Sequence, residues 1–124
     1  MRQELLVFAA ILVGVIGAMH SFLGERYVFR RLFALPDLPL LRKDRRYTER
    51  ILRFAWHLTS VAWWGFGALL VVHALVPDPA PVLIGVIAVT LLASGAVILA
   101  TAGTRHPAWL LFLLAGGAAL YAAW

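Results

Sequence analysis

The chain contains no cysteine, and only 14% of its 124 residues carry a formal charge. The absence of cysteine excludes disulfides, thiolate metal ligands, cysteine nucleophiles and iron–sulfur clusters. A soluble domain usually has about a quarter of its residues charged, so this chain has too few charges for a surface that faces water. Hydrophobic residues make up 63% of the sequence, and the mean hydropathy is +0.89. These properties predict an all-α integral membrane protein.

The few charges are concentrated in one segment. Nine of the eleven basic residues and four of the six acidic residues lie between residues 24 and 53, which therefore account for the whole net charge of +5. In a soluble protein such a charge would suggest binding to nucleic acid. Here the basic segment lies between apolar runs, so we expect contact with membrane lipids and no binding of nucleic acid.

Long uncharged runs predict four transmembrane spans, at about residues 4–23, 51–76, 82–102 and 108–124. About 20 apolar residues, at ~1.5 Å rise each, cross a hydrocarbon core of ~30 Å. The fourth run is the shortest, but Trp109 and Trp124 near its two ends suit the two interfaces of a membrane. The prolines of residues 77–81 and Pro107 separate the last three runs. We expect one domain, a compact bundle of four transmembrane helices.

The charge distribution also predicts the orientation. Short loops rich in lysine and arginine stay in the cytoplasm, which places the basic loop of residues 24–50 on that side and both termini in the periplasm. A secretory signal peptide is the alternative for the first run, but its cleavage would export the basic loop. Within this loop we expect helix one to continue over residues 27–33, and Asp44 to cap the helix that leads into span two.

Three of the four histidines are predicted to lie at the cytoplasmic boundary. His20 is near the end of span one, His57 near the start of span two, and His106 in the last loop. Ionisable residues within spans are rare and are often functional. Three imidazoles with Glu25, Glu49 or water could bind zinc, so we predict a metal site formed by His20, His57, His106 and Glu25. Alternatively, each imidazole hydrogen-bonds a hydroxyl or a lipid headgroup, because Ser21, Ser60 and Thr104 are near in the sequence.

Other chemistries find less support in the residues. Haem is an alternative to zinc, with His20 and His57 as axial ligands. Apart from Glu4, at the outer edge of span one, no aspartate or glutamate lies inside a span, which argues against a di-iron carboxylate site and leaves a proton-coupled transporter without its charged group. We expect no Ser-His-Asp arrangement, because Asp78 lies across the membrane from these three histidines. A metal-dependent membrane protein and a structural or accessory subunit of a larger membrane complex both remain open, and no reaction is predicted.

The basic loop and the small residues predict surfaces of contact. Basic side chains near a membrane surface contribute ~1 kcal/mol each to binding of anionic lipid. We expect such contacts, or contacts with an acidic partner, from Arg26, Arg30, Arg31, Arg42, Lys43, Arg45 and Arg46. Small residues allow helices to approach closely in lipid, and Ala10, Gly14 and Ala18 predict such a face on span one. The face could serve the bundle itself, another membrane protein or a second copy of the chain.

Two segments, His20–Arg26 (HSFLGER) and Arg53–Thr59 (RFAWHLT), resemble small four-span inner-membrane proteins of bacteria. The resemblance covers the length and the layout of the chain. It implies a multi-pass protein of the bacterial inner membrane, and it implies no activity.

Overall fold

The structure, a computed structural model, describes residues 1–123 as helices joined by short connections, with no strand in that range. Helix α1 is formed by Arg2–Leu23 and continues through a π-helical segment, Gly24–Phe29, and a last turn, Arg30–Leu32. The other helices are α2 (Arg45–Leu75), α3 (Ala80–Ala102) and α4 (Ala108–Ala122), and 3₁₀ turns are formed by Leu41–Lys43 and Gly103–Arg105. The predicted number of helices and the continuation of helix one are confirmed.

Three of these helical segments are long and apolar enough to cross a membrane: Arg2–Leu32, Arg45–Leu75 and Ala80–Arg105. Helix α4 is apolar but has only 15 residues, or ~22 Å at ~1.5 Å per residue. Its predicted end at Trp124 lies outside the described residues.

Local chemistry explains where the helices begin and end. The Asp44 carboxylate accepts a hydrogen bond of 3.0 Å from the Tyr47 backbone N–H, so the predicted cap of α2 is confirmed. Gly103 ends α3 with a φ of 69°, a conformation that glycine adopts without steric cost. Helix α3 begins at Ala80, two residues before the predicted start. Pro81 is tolerated in the first turn because the N–H groups there have no partner within the helix, so the missing N–H of proline costs no hydrogen bond.

The four helices form an open row. Helix α1 packs against α2, α2 against α3, and α3 against α4, and no other pair of the four makes comparable contact within residues 1–123. The packing therefore does not show the compact bundle that the sequence predicted. Helices α1 and α4 lie at the two ends of the row, and large apolar side chains such as Phe8, Ile11 and Leu111 are exposed on them.

Helices α1 and α2 approach each other through small residues spaced seven apart. These buried positions are Ala10, Gly17 and Gly24 on α1, and Ser60, Gly67 and Ala74 on α2. A seven-residue repeat keeps one seam of each helix facing the other. The predicted face was therefore correct at Ala10, but Ala18 is exposed, because four-residue spacing drifts away from this seam.

Part of the basic loop is folded against the start of α2. The Arg45 guanidinium donates to the backbone carbonyls of Phe33 and Leu35 and pairs with Glu49 at 3.1 Å. The Thr48 hydroxyl oxygen accepts a hydrogen bond of 2.8 Å from the Leu41 N–H. These bonds hold the loop close to the helix that follows it.

Candidate functional site

The imidazole of His57 joins α1 to α2 through both of its ring nitrogens. Nε2 lies 2.9 Å from Oε1 of Glu25, and Nδ1 lies 2.9 Å from Oγ of Ser21. The Ser21 Oγ is in turn 2.7 Å from the Oγ of Ser60, a fully buried residue. The Glu25 side chain is 42% exposed. These four groups form one hydrogen-bonded chain, which we call the His57 relay, from a half-exposed carboxylate to a buried hydroxyl.

Arg53 provides the second partner of the Glu25 carboxylate. Its Nε donates to Oε1 at 3.0 Å and to Oε2 at 3.3 Å, and its guanidinium carbon lies 5.1 Å from the centre of the Phe33 ring. Arg53 and His57 are four residues apart on α2, as Ser21 and Glu25 are on α1. Residues four apart share one face of a helix. The two pairs therefore face each other across the antiparallel junction.

A tryptophan and a glycine bring the two helices close together at this depth. The Trp56 Nε1–H donates to the backbone carbonyl of His20 at 2.9 Å, and its indole ring lies against Gly24. A Cβ atom at Gly24 would collide with Nε1, Cε2 and Cδ1 of the ring, so only glycine fits there without a shift. Gly24 begins the π-helical segment, a form that occurs often at functional sites, and Glu25 is its second residue.

A second tryptophan makes a similar contact about two helical turns further along the α1–α2 interface. The Trp64 Nε1–H donates to the Gly14 carbonyl at 3.1 Å, and a Cβ at Gly17 would lie 2.6 Å from that nitrogen. Trp64 acts in helix packing, and Trp63 lies edge-on to the His20 ring at 5.0 Å.

His20 and His106 lie apart from the relay, among aromatic rings. The His20 ring stacks on the Trp56 indole, with ring centres 4.3 Å apart and planes 3° from parallel. The His106 ring meets Phe54 edge-on at 5.0 Å, and its Nδ1 accepts a 3.4 Å hydrogen bond from the Ala108 N–H at the start of α4. These contacts give both side chains a packing role.

The structure brings together only two of the four predicted metal ligands, His57 and Glu25. Glu49, the further ligand that the sequence suggested, pairs with Arg45. Within the described residues, no group of three or more histidine, aspartate or glutamate side chains could hold a metal ion. The predicted zinc site of His20, His57, His106 and Glu25 therefore has no such cluster to support it and remains a prediction. Haem binding by His20 and His57 also remains a prediction.

The acid partner of His57 was not predicted from the sequence. Asp78 was the acid considered for a Ser-His-acid arrangement, whereas Glu25 occupies that place beside Ser21 and His57. The available signal was the matching four-residue spacing of Ser21 with Glu25 and of Arg53 with His57. The Ser21 hydroxyl lies at the α1–α2 interface and hydrogen-bonds both His57 and Ser60. Such a connected arrangement suits sharing of a proton.

Six of the seven basic side chains predicted to contact lipid belong to exposed residues. These are Arg26, Arg30, Arg31, Arg42, Lys43 and Arg46. The seventh, Arg45, directs its guanidinium to carbonyls of its own chain and to Glu49. Arg105, which was not among them, pairs with Asp44 at 3.1 Å. The Tyr47 N–H, and then Arg105, lower the pKa of the Asp44 carboxyl.

Comparison of the chain with protein-family models, with curated proteins and with solved structures finds no significant match. The resemblance to small four-span inner-membrane proteins remains a prediction. The geometry of the α1–α2 junction is therefore the basis of the functional proposal.

Proposed function

We propose that the chain is a multi-pass protein of the bacterial inner membrane that binds a proton at His57 and transmits the protonation state into the α1–α2 interface. One observation carries this proposal: both nitrogens of the His57 ring are hydrogen-bonded, one to a carboxylate and one to a hydroxyl that leads to buried Ser60. Histidine is the side chain whose charge changes most readily near neutral pH.

The relay has two arrangements of hydrogen atoms, which differ by one proton. An ionised carboxylate only accepts hydrogen bonds, so Nε2 must carry a hydrogen toward Glu25 in both. When the ring is neutral, Nδ1 accepts from the Ser21 hydroxyl, and the Ser21 oxygen accepts from Ser60. When the ring is protonated, Nδ1 donates to Ser21, and Ser21 donates to Ser60. One proton on His57 therefore reverses the hydrogen bonds as far as Ser60.

The relay connects two different environments. Glu25 and Arg53 have side chains that are 42% and 44% exposed, whereas Ser60 is fully buried. In the orientation that the basic loop predicts, the exposed end faces the cytoplasm. The relay ends at the buried Ser60 and does not continue to the other side of the membrane. We therefore propose that His57 exchanges protons with one side only, and that the response is a change of hydrogen bonds at the α1–α2 interface.

Solid-state NMR of the protein in lipid bilayers tests this proposal. We expect the Cβ chemical shift of Ser60 to change with pH in step with the ring nitrogens of His57. In Ser21→Ala, the His57 nitrogens should still titrate but Ser60 should no longer follow. In His57→Gln, the shift of Ser60 should be independent of pH.

Ser94 is the matched control, because it is also buried but donates to the Thr90 carbonyl of its own helix. Its shift should stay constant while His57 titrates. If Ser60 were as insensitive to pH as Ser94 while His57 titrated, the proposed transmission would be wrong.

The second candidate function is that of a structural or accessory subunit of a larger membrane complex. It is favoured by the open row of helices, which leaves both end helices with exposed apolar faces. Purification in a mild detergent separates the two candidates. An accessory subunit should retain a second protein in stoichiometric amount, and His57→Gln should leave that association unchanged.

A further inference from the structure

We propose that Arg42 and Arg105 bind the phosphate of an anionic lipid headgroup above the ring of Tyr47. The guanidinium carbon of Arg42 lies 5.5 Å from the centre of this ring, and that of Arg105 lies 5.4 Å from it. Tyr47 is 8% exposed, so the ring forms a fixed platform. Both guanidinium groups therefore contact the same ring, and an anion that binds both would offset the repulsion between their like charges.

The charges around the platform do not balance. Asp44 pairs with Arg105 at 3.1 Å, but no carboxylate within residues 1–123 forms an ion pair with Arg42. Lys43 is exposed beside Arg42 and adds a further positive charge. The site therefore keeps an excess of positive charge and unused guanidinium donors. Guanidinium groups match the geometry of phosphate oxygens through paired hydrogen bonds.

The backbone that carries Arg42 adopts an uncommon conformation. Arg42 has a φ of 53° and Lys43 a φ of 56°, and these are the only non-glycine residues with positive φ in the described part of the chain. Left-handed residues cost free energy, and usually occur singly, so two in succession must be held by their surroundings. The Leu41 N–H bonded to Thr48, and the Asp44 N–H bonded to the Leu41 carbonyl at 3.1 Å, hold both ends of this turn.

The depth of the site indicates a lipid as the source of the phosphate. Tyr47 lies one helical turn before Ile51, where the predicted span begins, and one turn is ~5.4 Å. The platform therefore lies at the level where the headgroups of a bilayer would be. A phosphate held there would also join the loop before α2 to the loop between α3 and α4, which carry Arg42 and Arg105.

Native mass spectrometry of the whole chain, released from detergent with added lipid, tests the proposal. Phosphatidylglycerol and phosphatidylcholine are compared at equal concentration. We expect the wild-type chain to retain phosphatidylglycerol, and Arg42→Gln to weaken the apparent affinity about tenfold. Arg50→Gln is the matched control, since Arg50 is exposed on α2 and makes the same change in net charge. It should weaken binding less than about twofold.

Two further comparisons keep the test decisive if a variant folds poorly. Arg105→Lys retains the charge beside Asp44 but loses the paired donors, and we expect it to weaken binding of phosphatidylglycerol as Arg42→Gln does. Tyr47→Leu removes the ring that both guanidinium groups contact and should also weaken binding of phosphatidylglycerol.

Equal losses in Arg42→Gln and Arg50→Gln would overturn the proposal, because the general charge of the basic loop would then explain the binding. If inorganic phosphate displaced phosphatidylglycerol at millimolar concentration, the assignment to a lipid would be wrong. Neither result would bear on the pH response of His57 and Ser60.

Discussion

The helix pairs at the two ends of the row are held together by different chemistry. Across the α1–α2 junction, side chains of α2 make hydrogen bonds to α1, namely those of Arg53, Trp56, His57, Ser60 and Trp64. Within the described residues, no side-chain hydrogen bond joins α3 to α4. The hydroxyls of α3 donate instead to carbonyls of their own helix, from Thr90, Ser94 and Thr101.

The α3–α4 pair relies on shape. A Cβ at Gly95 would lie 2.9 Å from Leu113 Cδ2, and one at Gly116 would lie 2.8 Å from Leu92 Cγ, so each glycine accommodates a leucine of the facing helix. In lipid, the hydrophobic effect does not drive helices together, and close packing and polar contacts take its place. Polar groups therefore specify the helix contact at one end of the row, and complementary surfaces specify it at the other.

The largest effect is expected from Gly24→Ala, which breaks the polar junction by a steric clash. The new Cβ would push the Trp56 indole out of place and cost its hydrogen bond to the His20 carbonyl. We expect a loss of about 2–3 kcal/mol in the free energy of unfolding, measured in bicelles. Gly14→Ala is the control, because nothing lies within 4 Å of its Cβ position. A similar loss in both variants would contradict this contact.

His57→Leu removes the centre of the relay, so that Glu25 keeps only Arg53 and Ser21 keeps only Ser60 as side-chain partners. We expect it to lower the free energy of unfolding by about 2 kcal/mol, since buried polar groups that lose a partner are costly. His57→Gln has an amide that can contact both groups and should lose less than half as much. The same unfolding measurement compares them, and equal losses in the two variants would show that the polar contacts are unimportant.

Gly116→Ala tests the shape-based pair. Its Cβ would meet Leu92 Cγ and, at 3.0 Å, the Ala88 backbone carbonyl, which cannot easily move. We expect a loss of about 1 kcal/mol. Gly117→Ala on the same helix has open space at its Cβ and should be close to neutral. If Gly117→Ala lowered the free energy of unfolding more than Gly116→Ala does, complementary shape would not explain the α3–α4 contact.

A smaller effect is expected from Ser94→Ala, which sharpens the contrast between two buried serines. Ser94 bonds only within its own helix, where such a hydroxyl contributes little, so we expect a change below about 0.5 kcal/mol. Ser60→Ala removes a bond between helices and should cost about 1 kcal/mol. Thermal unfolding in one detergent ranks the two variants, and the reverse order would contradict the contrast.

The smallest effect concerns the end of the molecule where Asp44 caps α2. Because its pKa is lowered in the folded protein, the contribution of Asp44 is present above the ordinary value of 3.8 and is lost as the pH falls through the lowered pKa. Asp44→Asn retains a capping oxygen but does not titrate. The wild type should therefore lose its small advantage over Asp44→Asn as the pH falls below 3.8. If the stability of the wild type relative to Asp44→Asn increased on acidification, the predicted effect of the Asp44 carboxyl would be wrong.

The sequence predicted the helices well because their signals are local. Charge-free runs, the Asp44 cap and Gly103 act within one helix or one turn. The open row could not be predicted in this way, because apolar residues cover all sides of α3 and α4 and do not indicate which face a neighbour occupies. The donation of Trp64 to the Gly14 carbonyl could not be predicted either, because it depends on the register of two helices.

The candidate site was predicted in part. His57 and Glu25 were singled out, and the hydroxyls of Ser21 and Ser60 were named as alternatives to a metal. The pairing itself depends on the antiparallel register, which brings residues 21 and 25 opposite residues 57 and 53. His20 and His106 share the same end of the molecule, but their rings turn to Trp56 and Phe54, a choice that depends on rotamers and not on spacing.

The relay depends on which nitrogen of the neutral His57 ring carries the hydrogen. Nitrogen-15 NMR of the labelled ring in bilayers distinguishes the two tautomers of the neutral ring. The hydrogen bond to Glu25 predicts that Nε2 carries the hydrogen and that Nδ1 accepts from Ser21. A neutral ring with its hydrogen on Nδ1 would contradict the relay, because Nε2 and the ionised Glu25 would then both be acceptors.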